Sequence, residues 1–181
     1  MSAPLFDARQ VRRAFSRSAA SYDAAAQLQR AVEARLLESL DYLDDPALQR
    51  APPQRVLDLG CGTGRASLAM QARWPKAQVL SLDLALPMLR QARATASPAG
   101  WLSNPFARRP AQVCADACAL PLAEASVDVL FSNLCVQWVE DLDALLAGFR
   151  RVMKPHGLLV VSTFGPETLW ELRQAFAQAD A

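Results

Sequence analysis

The sequence predicts an α/β fold with a doubly wound, mainly parallel sheet and an N-terminal helical cap. Short apolar runs, typical of buried strands, alternate with longer segments whose apolar residues recur every three or four positions. Such alternation is typical of parallel strands covered by helices on both faces. The first apolar run, Arg55 to Leu59, ends at a glycine-rich turn that leads directly into a helical segment.

Length and composition limit the functional classes. The 181 residues, 52% of them hydrophobic, are enough for a single core. A net charge of +1 disfavours both a nucleic-acid-binding surface and an acidic tail. No run approaches the ~18 apolar residues of a membrane span, and the N-terminus lacks the apolar region of a signal peptide, so we expect a cytoplasmic protein without a membrane partner. The cysteines form no C-x-x-C pair and His156 is the single histidine, so no metal site is predicted.

The N-terminal part is expected to be helical. We assign residues 1–53 to a helical cap and linker and residues 54–181 to the α/β core. Met1 to Gln10 is interpreted as a lead-in, and the apolar spacing from Val11 to Leu43 predicts helix, with a break or cap at Ser21. The arginine-rich stretch around this break either covers one edge of the sheet or covers a ligand and recruits an anionic substrate.

The core elements follow from apolar runs and from the prolines and glycines between them. Pro75 ends the first core helix, Pro166 marks the first turn of the last helix, and the proline-rich segment Ser97 to Pro110 predicts an irregular loop. A turn is expected at Lys154 to Gly157. The predicted strands are Arg55–Leu59, Ala77–Leu82, Ala111–Ala115, Val127–Phe131 and Leu158–Thr163, and the predicted core helices are Arg65–Trp74, Leu86–Thr95, Asp141–Met153 and one that starts within Phe164–Leu169.

The glycine-rich turn, Val56 to Gly64, predicts a ligand-binding loop. Glycines let the backbone approach a ligand, and the free N–H groups at a helix start face it. The dinucleotide fingerprint G-x-G-x-x-G would need a third glycine at Arg65, and Ala66 offers only a looser match. Asp58, immediately before the last strand residue, distinguishes the loop from that fingerprint. The alternative is an ordinary turn between a strand and a helix.

Polar residues also follow the later strands. Asp83 ends the second strand roughly 20 residues beyond the glycines, where an acidic side chain can bind both ribose hydroxyls. It could equally cap the next helix. Asn133 follows the fourth strand, at the edge where open α/β sheets bind ligands. Trp138 either walls the pocket or is a buried aromatic residue at a helix start.

The nonapeptide Val56 to Gly64 resembles the first motif of S-adenosyl-L-methionine-dependent methyltransferases of the Rossmann-like class. The resemblance implies that Asp58 and the loop amides hold the amino acid end of S-adenosyl-L-methionine. It also implies that the acidic position after the third strand binds the adenine amino group, and that Tyr22 lies over the cofactor as part of a lid. The cofactor-binding residues expected on this basis are Tyr22, Asp58, Gly60, Cys61, Gly62, Gly64, Asp83, Leu84, Asp116, Ala117 and Asn133.

Three further stretches narrow the resemblance to the malonyl-acyl-carrier-protein O-methyltransferases of biotin synthesis. They are Phe15 to Arg30, Ser132 to Trp138 and Ser162 to Leu172. That family methylates the free carboxylate of a malonyl thioester on acyl carrier protein. Its fold normally has seven strands, whereas we count five, so we expect a Rossmann-like methyltransferase fold that is C-terminally short.

The implied chemistry needs no general base, because a carboxylate is already ionised near neutral pH. We therefore assign no catalytic acid or base. A forked arginine suits the malonyl carboxylate, and Arg13, Arg17 and Trp138 are candidate substrate residues, although Arg150, Arg151 and Arg173 also qualify. A basic patch could dock an acidic carrier protein. Alternatives are another small-molecule methyltransferase with the same cofactor, or a non-methylating relative that acts on a protein partner.

Overall fold

The structure, a computed structural model, describes residues 7–48, 50–96 and 108–179. Within these ranges the strands are β1 (Arg55–Leu59), β2 (Gln78–Asp83), β3 (Ala111–Cys114), β4 (Val127–Asn133) and β5 (Met153–Ser162). The helices are α1 (Ala8–Ser18), α2 (Tyr22–Ala25), α3 (Gln27–Glu38), α4 (Arg65–Arg73), α5 (Leu86–Thr95), α6 (Leu142–Val152) and α7 (Trp170–Ala179). Short 3₁₀ helices span Ser39–Asp44, Pro46–Leu48 and Val136–Trp138.

The five described strands form one sheet in the order β3-β2-β1-β4-β5, and every pairing is parallel. This confirms the predicted α/β class. The chain runs outward from β1 to β3 and then returns to β4 on the other side of β1. The carboxyl ends of β1 and β4 therefore meet at the point where the strand order reverses, which is the usual ligand position in such sheets.

Alternate residues of the central strand pack into different cores. Val56 lies in one cluster with Met70 of α4, whereas Leu57 lies in the other with Leu145 of α6. Side chains of a strand point alternately to its two faces, so helices on both faces are needed to cover β1. Because both faces of β1 are covered in this way, its residues form a nearly continuous apolar run in the sequence.

The N-terminal helices differ in detail from the expectation. α1 begins at Ala8, within the expected lead-in, because the Asp7 carboxylate accepts a hydrogen bond from the Arg9 amide at 2.8 Å and caps the helix. The predicted break at Ser21 is present, and α2 starts directly after it. A second interruption at Ala26 separates α2 from α3.

In the C-terminal part, the structure differs from the prediction at two elements. The turn predicted at 154–157 lies within β5, where the pairing shifts between Val127 with Met153 and Val129 with Leu158. The additional residues bulge out of the ladder, and His156 adopts a φ of +64° there. The last helix starts at Trp170 rather than before Leu169, whose φ of +59° is not helical. Most of the predicted 97–110 loop lies outside the described residues.

Candidate functional site

A cavity of about 490 Å³ opens at the carboxyl-terminal edge of the sheet. Its wall includes the ends of β1, β2 and β4, the segment after β3, and parts of α1 and α2. The volume falls in the range of roughly 300–1,000 Å³ that is usual for small-molecule sites. The predicted site residues that line it are Tyr22, Gly60, Gly62, Asp83, Leu84, Asp116, Ala117, Asn133 and Trp138.

The glycine loop forms the part of the wall nearest β1. The amides of Gly60 and Cys61 both donate to the Leu82 carbonyl, at 2.8 and 3.0 Å, which fixes the loop against the end of β2. Gly60 has a φ of +71°, and a Cβ there would lie 2.4 Å from the Cys135 sulfur. Only glycine fits this position, both for its backbone conformation and for the space available.

Asp83 links the end of β2 to the glycine loop. Its Oδ2 accepts a hydrogen bond from the Gly62 amide at 2.9 Å, and its Oδ1 accepts one from the Ala85 amide at 2.8 Å. Burial raises the pKa of this carboxyl, and the backbone hydrogen bonds oppose the rise. Each carboxylate oxygen keeps a further lone pair, so Asp83 can still accept hydrogen bonds from a ligand in the cavity.

Asp58 lies beneath the glycine loop rather than on the wall of the main cavity. It is 2% exposed and accepts a hydrogen bond from the Ser67 hydroxyl at 2.5 Å, which in turn accepts one from Ser81 at 2.7 Å. Desolvation by burial raises the pKa of Asp58 to about 7. Asp58 and Cys61 border a smaller cavity of about 40 Å³.

The two cavities share one wall. Tyr22, Gln29, Gly60, Gly62 and Asn133 line both of them, so the smaller space is a side chamber next to the glycine loop. Of the two cavities, Asp58 borders only this side chamber.

Asn133, at the end of β4, connects the sheet to the N-terminal helices. Its Nδ2 donates to the Gln29 carbonyl of α3 at 3.0 Å, and its Oδ1 accepts from the Ser162 hydroxyl at 2.8 Å. Both ends of the amide are thus engaged. This arrangement holds α3 above the carboxyl end of β4.

Three aromatic side chains cover the cavity. The Phe15 ring of α1 packs edge-on against Trp138, with ring centroids 5.5 Å apart, and tilted against Tyr22 at 6.2 Å. Burial, with Asp83 as the main charged neighbour, raises the pKa of Tyr22, so its phenol stays protonated at neutral pH. Two of the covering residues come from the first two helices of the cap, and the third comes from the segment after β4.

The charged residues of the cavity wall all carry the same sign. No Arg, Lys or His is found among its described lining residues. Three further predicted site residues do not line this cavity. Arg13 and Arg17 lie on the exposed face of α1. Gly64 lies at the start of α4, where a Cβ would be 2.7 Å from the Cβ of Ala92. The acidic lining residues are Asp7, Asp83, Asp116, Glu140 and Asp141.

Several lining residues were not among the predicted site residues, and Phe15 and Gln137 are two of them. Phe15 and Gln137 both stand in the stretches that carry the family resemblance, which was the available signal for them. The contribution of Phe15 depends on its contact with Trp138, in the segment after β4, which no local pattern in the sequence indicates.

Two absences hold for the described residues. Residues 7–48, 50–96 and 108–179 contain no group of His, Cys, Asp and Glu side chains that could hold a metal ion. Within the same ranges, no helix has the length and apolar character required to cross a membrane.

Curated relatives match nearly the whole chain. The malonyl-[acyl-carrier protein] O-methyltransferase of Xylella fastidiosa is 59% identical over 177 residues, 98% of this chain and 56% of that protein. The protein of the same name from Methylovorus sp. is 51% identical over 96% of this chain and 56% of its own length. The biotin biosynthesis bifunctional protein BioHC of Saccharophagus degradans is 39% identical over 94% of this chain and 27% of its own length. The chain thus spans about half the length of the first two of these relatives, and their names confirm the resemblance drawn from the three stretches.

A solved structure supports the fold assignment. The plantazolicin methyltransferase BpumL, solved with a triazolic desmethylPZN analog and SAH, superposes with a TM-score of 0.63 at 17% identity, over 89% of this chain and 61% of that one. The family model described as methyltransferase domain matches residues 57–161, from β1 through β5. That segment holds the glycine loop and the strand ends that form the cavity, and on this match the chain belongs to the methyltransferase domain family.

Proposed function

We propose that the main cavity binds S-adenosyl-L-methionine, and that the protein containing this chain methylates the free carboxylate of a malonyl thioester on acyl carrier protein, an early step of biotin synthesis. The observation that carries the proposal is the convergence of the glycine loop, Asp83 and Asp116 on one cavity. The names of the relatives support the malonyl thioester as the acceptor.

The residues present fit this cofactor. Gly62 has no side chain, and a Cβ there would point toward the Tyr22 ring, 3.9 Å away, so the loop leaves open space in the cavity. Asp83 retains lone pairs for the two ribose hydroxyls, and Asp116, which follows β3, is available to the adenine amino group. A wall with carboxylates and no described cationic side chain also favours a positively charged ligand.

When bound, S-adenosyl-L-methionine supplies a methyl group on a positively charged sulfur. The residues of the chain position the reactants and exclude water. Phe15, Tyr22 and Trp138 form an apolar cover, which excludes water and so removes the hydration shell of the ionised carboxylate. A carboxylate has no proton to lose, so the site needs no general base, and positioning supplies most of the rate acceleration.

The carrier protein is expected to dock on α1. Arg9, Arg13 and Arg17 are spaced by four residues and so share one helical face, while Val11 and Phe15 on the other face line the cavity. None of these three guanidinium groups has an ion-pair partner within the described ranges. We propose that this arginine face binds an acidic carrier protein and directs its acyl arm over the edge of α1 into the cavity.

Two measurements test the proposed function. Calorimetric titration with S-adenosylhomocysteine measures cofactor binding, and a methyl-transfer assay with malonyl-acyl carrier protein measures the reaction. Binding with formation of the malonyl methyl ester is the expected result. Binding without transfer would favour another acceptor or a non-methylating relative that acts on a protein partner, and absence of binding would contradict the cofactor assignment.

A further inference from the structure

Leu134 has a left-handed backbone conformation directly after β4. Its φ is +47°, and it is one of four non-glycine residues with a positive φ in the described ranges, the others being Ala125, His156 and Leu169. Of these four, only Leu134 lines the main cavity. The left-handed region is unfavourable for a residue with a bulky side chain, whereas glycine adopts it freely.

Two residues hold Leu134 in this conformation. The Leu134 amide donates to the Ser162 hydroxyl at 3.0 Å and to the Ser162 carbonyl at 3.1 Å. The Leu134 carbonyl accepts a hydrogen bond from Nε2 of Gln137 at 2.7 Å. Strained residues persist where their surroundings over-determine them, and they concentrate at functional sites. Glycine could make the same backbone hydrogen bonds without the strain, so the role of leucine here lies in its side chain.

The Leu134 side chain is not part of the hydrophobic core. Among the described residues it belongs to none of the three clusters of packed apolar side chains, whereas Val136 and Val139 pack against the cluster that contains Leu145. Leu134 is half-buried and borders the main cavity. Its apolar surface is therefore available to a ligand in that cavity.

The surroundings of Leu134 indicate which part of a ligand it contacts. Asp83 and Asp116 follow β2 and β3, on the far side of β1 in the sheet, so the nucleoside would lie away from Leu134. The charged amino acid end of the cofactor is expected next to the side chamber, whose wall includes the charged residues Arg30 and Asp58. Leu134 does not border that chamber, and an isobutyl group offers no partner to a charged group.

The acceptor is then the ligand whose apolar part lies against Leu134, a step that rests on the proposed function. We propose that the Leu134 side chain packs against the methylene carbon between the thioester and the carboxylate of the malonyl group. A methyl branch on that carbon would meet the side chain of Leu134. Leucine at this position thereby restricts the cavity to a short, unbranched acyl group.

Two acyl groups on the same carrier protein test this role. Malonyl- and methylmalonyl-acyl carrier protein differ by one methyl group on the carbon in question and share the docking surface. We expect wild-type kcat/KM to favour the malonyl group by about tenfold or more, the usual discrimination for one methyl group in an apolar pocket. Leu134→Gly removes the side chain in a conformation that glycine adopts freely, so the ratio should fall to about one. Affinity for S-adenosylhomocysteine, measured by calorimetry, should stay unchanged.

Leu169→Gly is the matched control. Leu169 has a φ of +59°, is 65% exposed and does not line the main cavity, so its replacement relieves the same kind of strain elsewhere. It should keep the wild-type ratio, and neither glycine variant should lower Tm. Leu134→Ala retains the Cβ but not the rest of the side chain. It tests the role a second time and should also bring the ratio close to one.

A wild-type ratio near one, or a ratio preserved in either Leu134 variant, would overturn the proposal, as would an equal loss of preference in Leu169→Gly. A loss of S-adenosylhomocysteine affinity in the Leu134 variants would assign the side chain to the cofactor. A lower Tm in Leu134→Gly alone would assign it to the core, and either result would overturn the acyl contact. Failure of the wild type to methylate malonyl-acyl carrier protein would instead overturn the proposed function on which this inference rests.

Discussion

The Thr63 hydroxyl donates a hydrogen bond to the Asp23 carboxylate at 2.8 Å and so joins the glycine loop to α2. Thr63 is 5% exposed, and the two residues lie 40 positions apart in the chain. An ion pair between Arg65 and Glu33, at 3.5 Å, links α4 to α3 nearby. Since Tyr22 directly precedes Asp23, these contacts hold the aromatic cover over the loop that we propose binds the cofactor.

Thr63→Val should therefore weaken cofactor binding without altering the backbone of the loop. The substitution keeps the shape of the side chain and removes one buried hydrogen bond, so we expect a three- to tenfold loss, about 1 kcal/mol, in affinity for S-adenosylhomocysteine by calorimetry. Thr95→Val, which removes a hydroxyl bonded to the Gln91 carbonyl on α5, serves as the control. Equal affinities in the two variants would show that the contact does not support the site.

Asp83→Ala tests the proposed ribose contact. Hydrogen bonds to a charged group are worth roughly 1.5–3 kcal/mol, so we expect S-adenosylhomocysteine to bind about 10- to 100-fold more weakly. The loss of acceptors for the Gly62 and Ala85 amides adds to the effect.

Asp128→Ala is the matched control for Asp83→Ala. Asp128 also accepts hydrogen bonds from two backbone amides, those of Gln54 and Arg55, but it lies outside the main cavity. Its replacement should lower thermal stability and leave the affinity for S-adenosylhomocysteine unchanged. Unaltered binding in Asp83→Ala would refute the ribose assignment.

Titration of the Asp58 carboxyl should lower the free energy of unfolding as the pH rises from about 4 to about 7. In the unfolded chain its carboxyl loses the proton near its ordinary pKa of 3.8, whereas burial keeps it protonated in the native state up to about 7. Between these values the native state binds more protons, so raising the pH favours unfolding. The shift corresponds to at most about 4 kcal/mol, fully developed above pH 7.

Asp58→Asn isolates this contribution, because the amide oxygen can still accept from Ser67. Urea unfolding at pH 4 and at pH 7 should show a smaller loss of stability for the variant than for the wild type. Glu33 and Asp83, whose pKa values are also raised by burial, contribute with the same sign in both proteins, and Asp128, whose pKa is lowered, contributes with the opposite sign. Parallel stability profiles would contradict the raised pKa of Asp58.

The sequence predicted those parts of the site that depend on local pattern. The glycine loop, Asp83 and Asn133 each stand at the end of an apolar run, and parallel strands bring such ends to one edge. The turn predicted at 154–157 was wrong, because these residues form a bulge within β5 that is set by pairing with β4. The covering contact of Phe15 with Trp138 joins positions more than a hundred residues apart, so spacing within either segment could not reveal it.

The arginine face of α1 should determine how well the protein distinguishes a carrier-bound substrate from a small one. Arg13→Glu together with Arg17→Glu reverses two exposed charges, and neither residue lines the cavity. An acidic partner would meet repulsion instead of attraction, so KM for malonyl-acyl carrier protein should rise about tenfold or more at low salt.

A substrate without the carrier protein lacks the acidic surface that would contact the arginine face of α1. KM for malonyl-N-acetylcysteamine should therefore stay within about twofold of wild type, and the difference between the two substrates should shrink at high salt as the charges are screened. Arg150→Glu, on the exposed side of α6 and away from the cavity wall, controls for net charge and should leave both KM values unchanged. If the double variant raised both KM values equally, the arginine face would act on the cavity and not on the carrier protein.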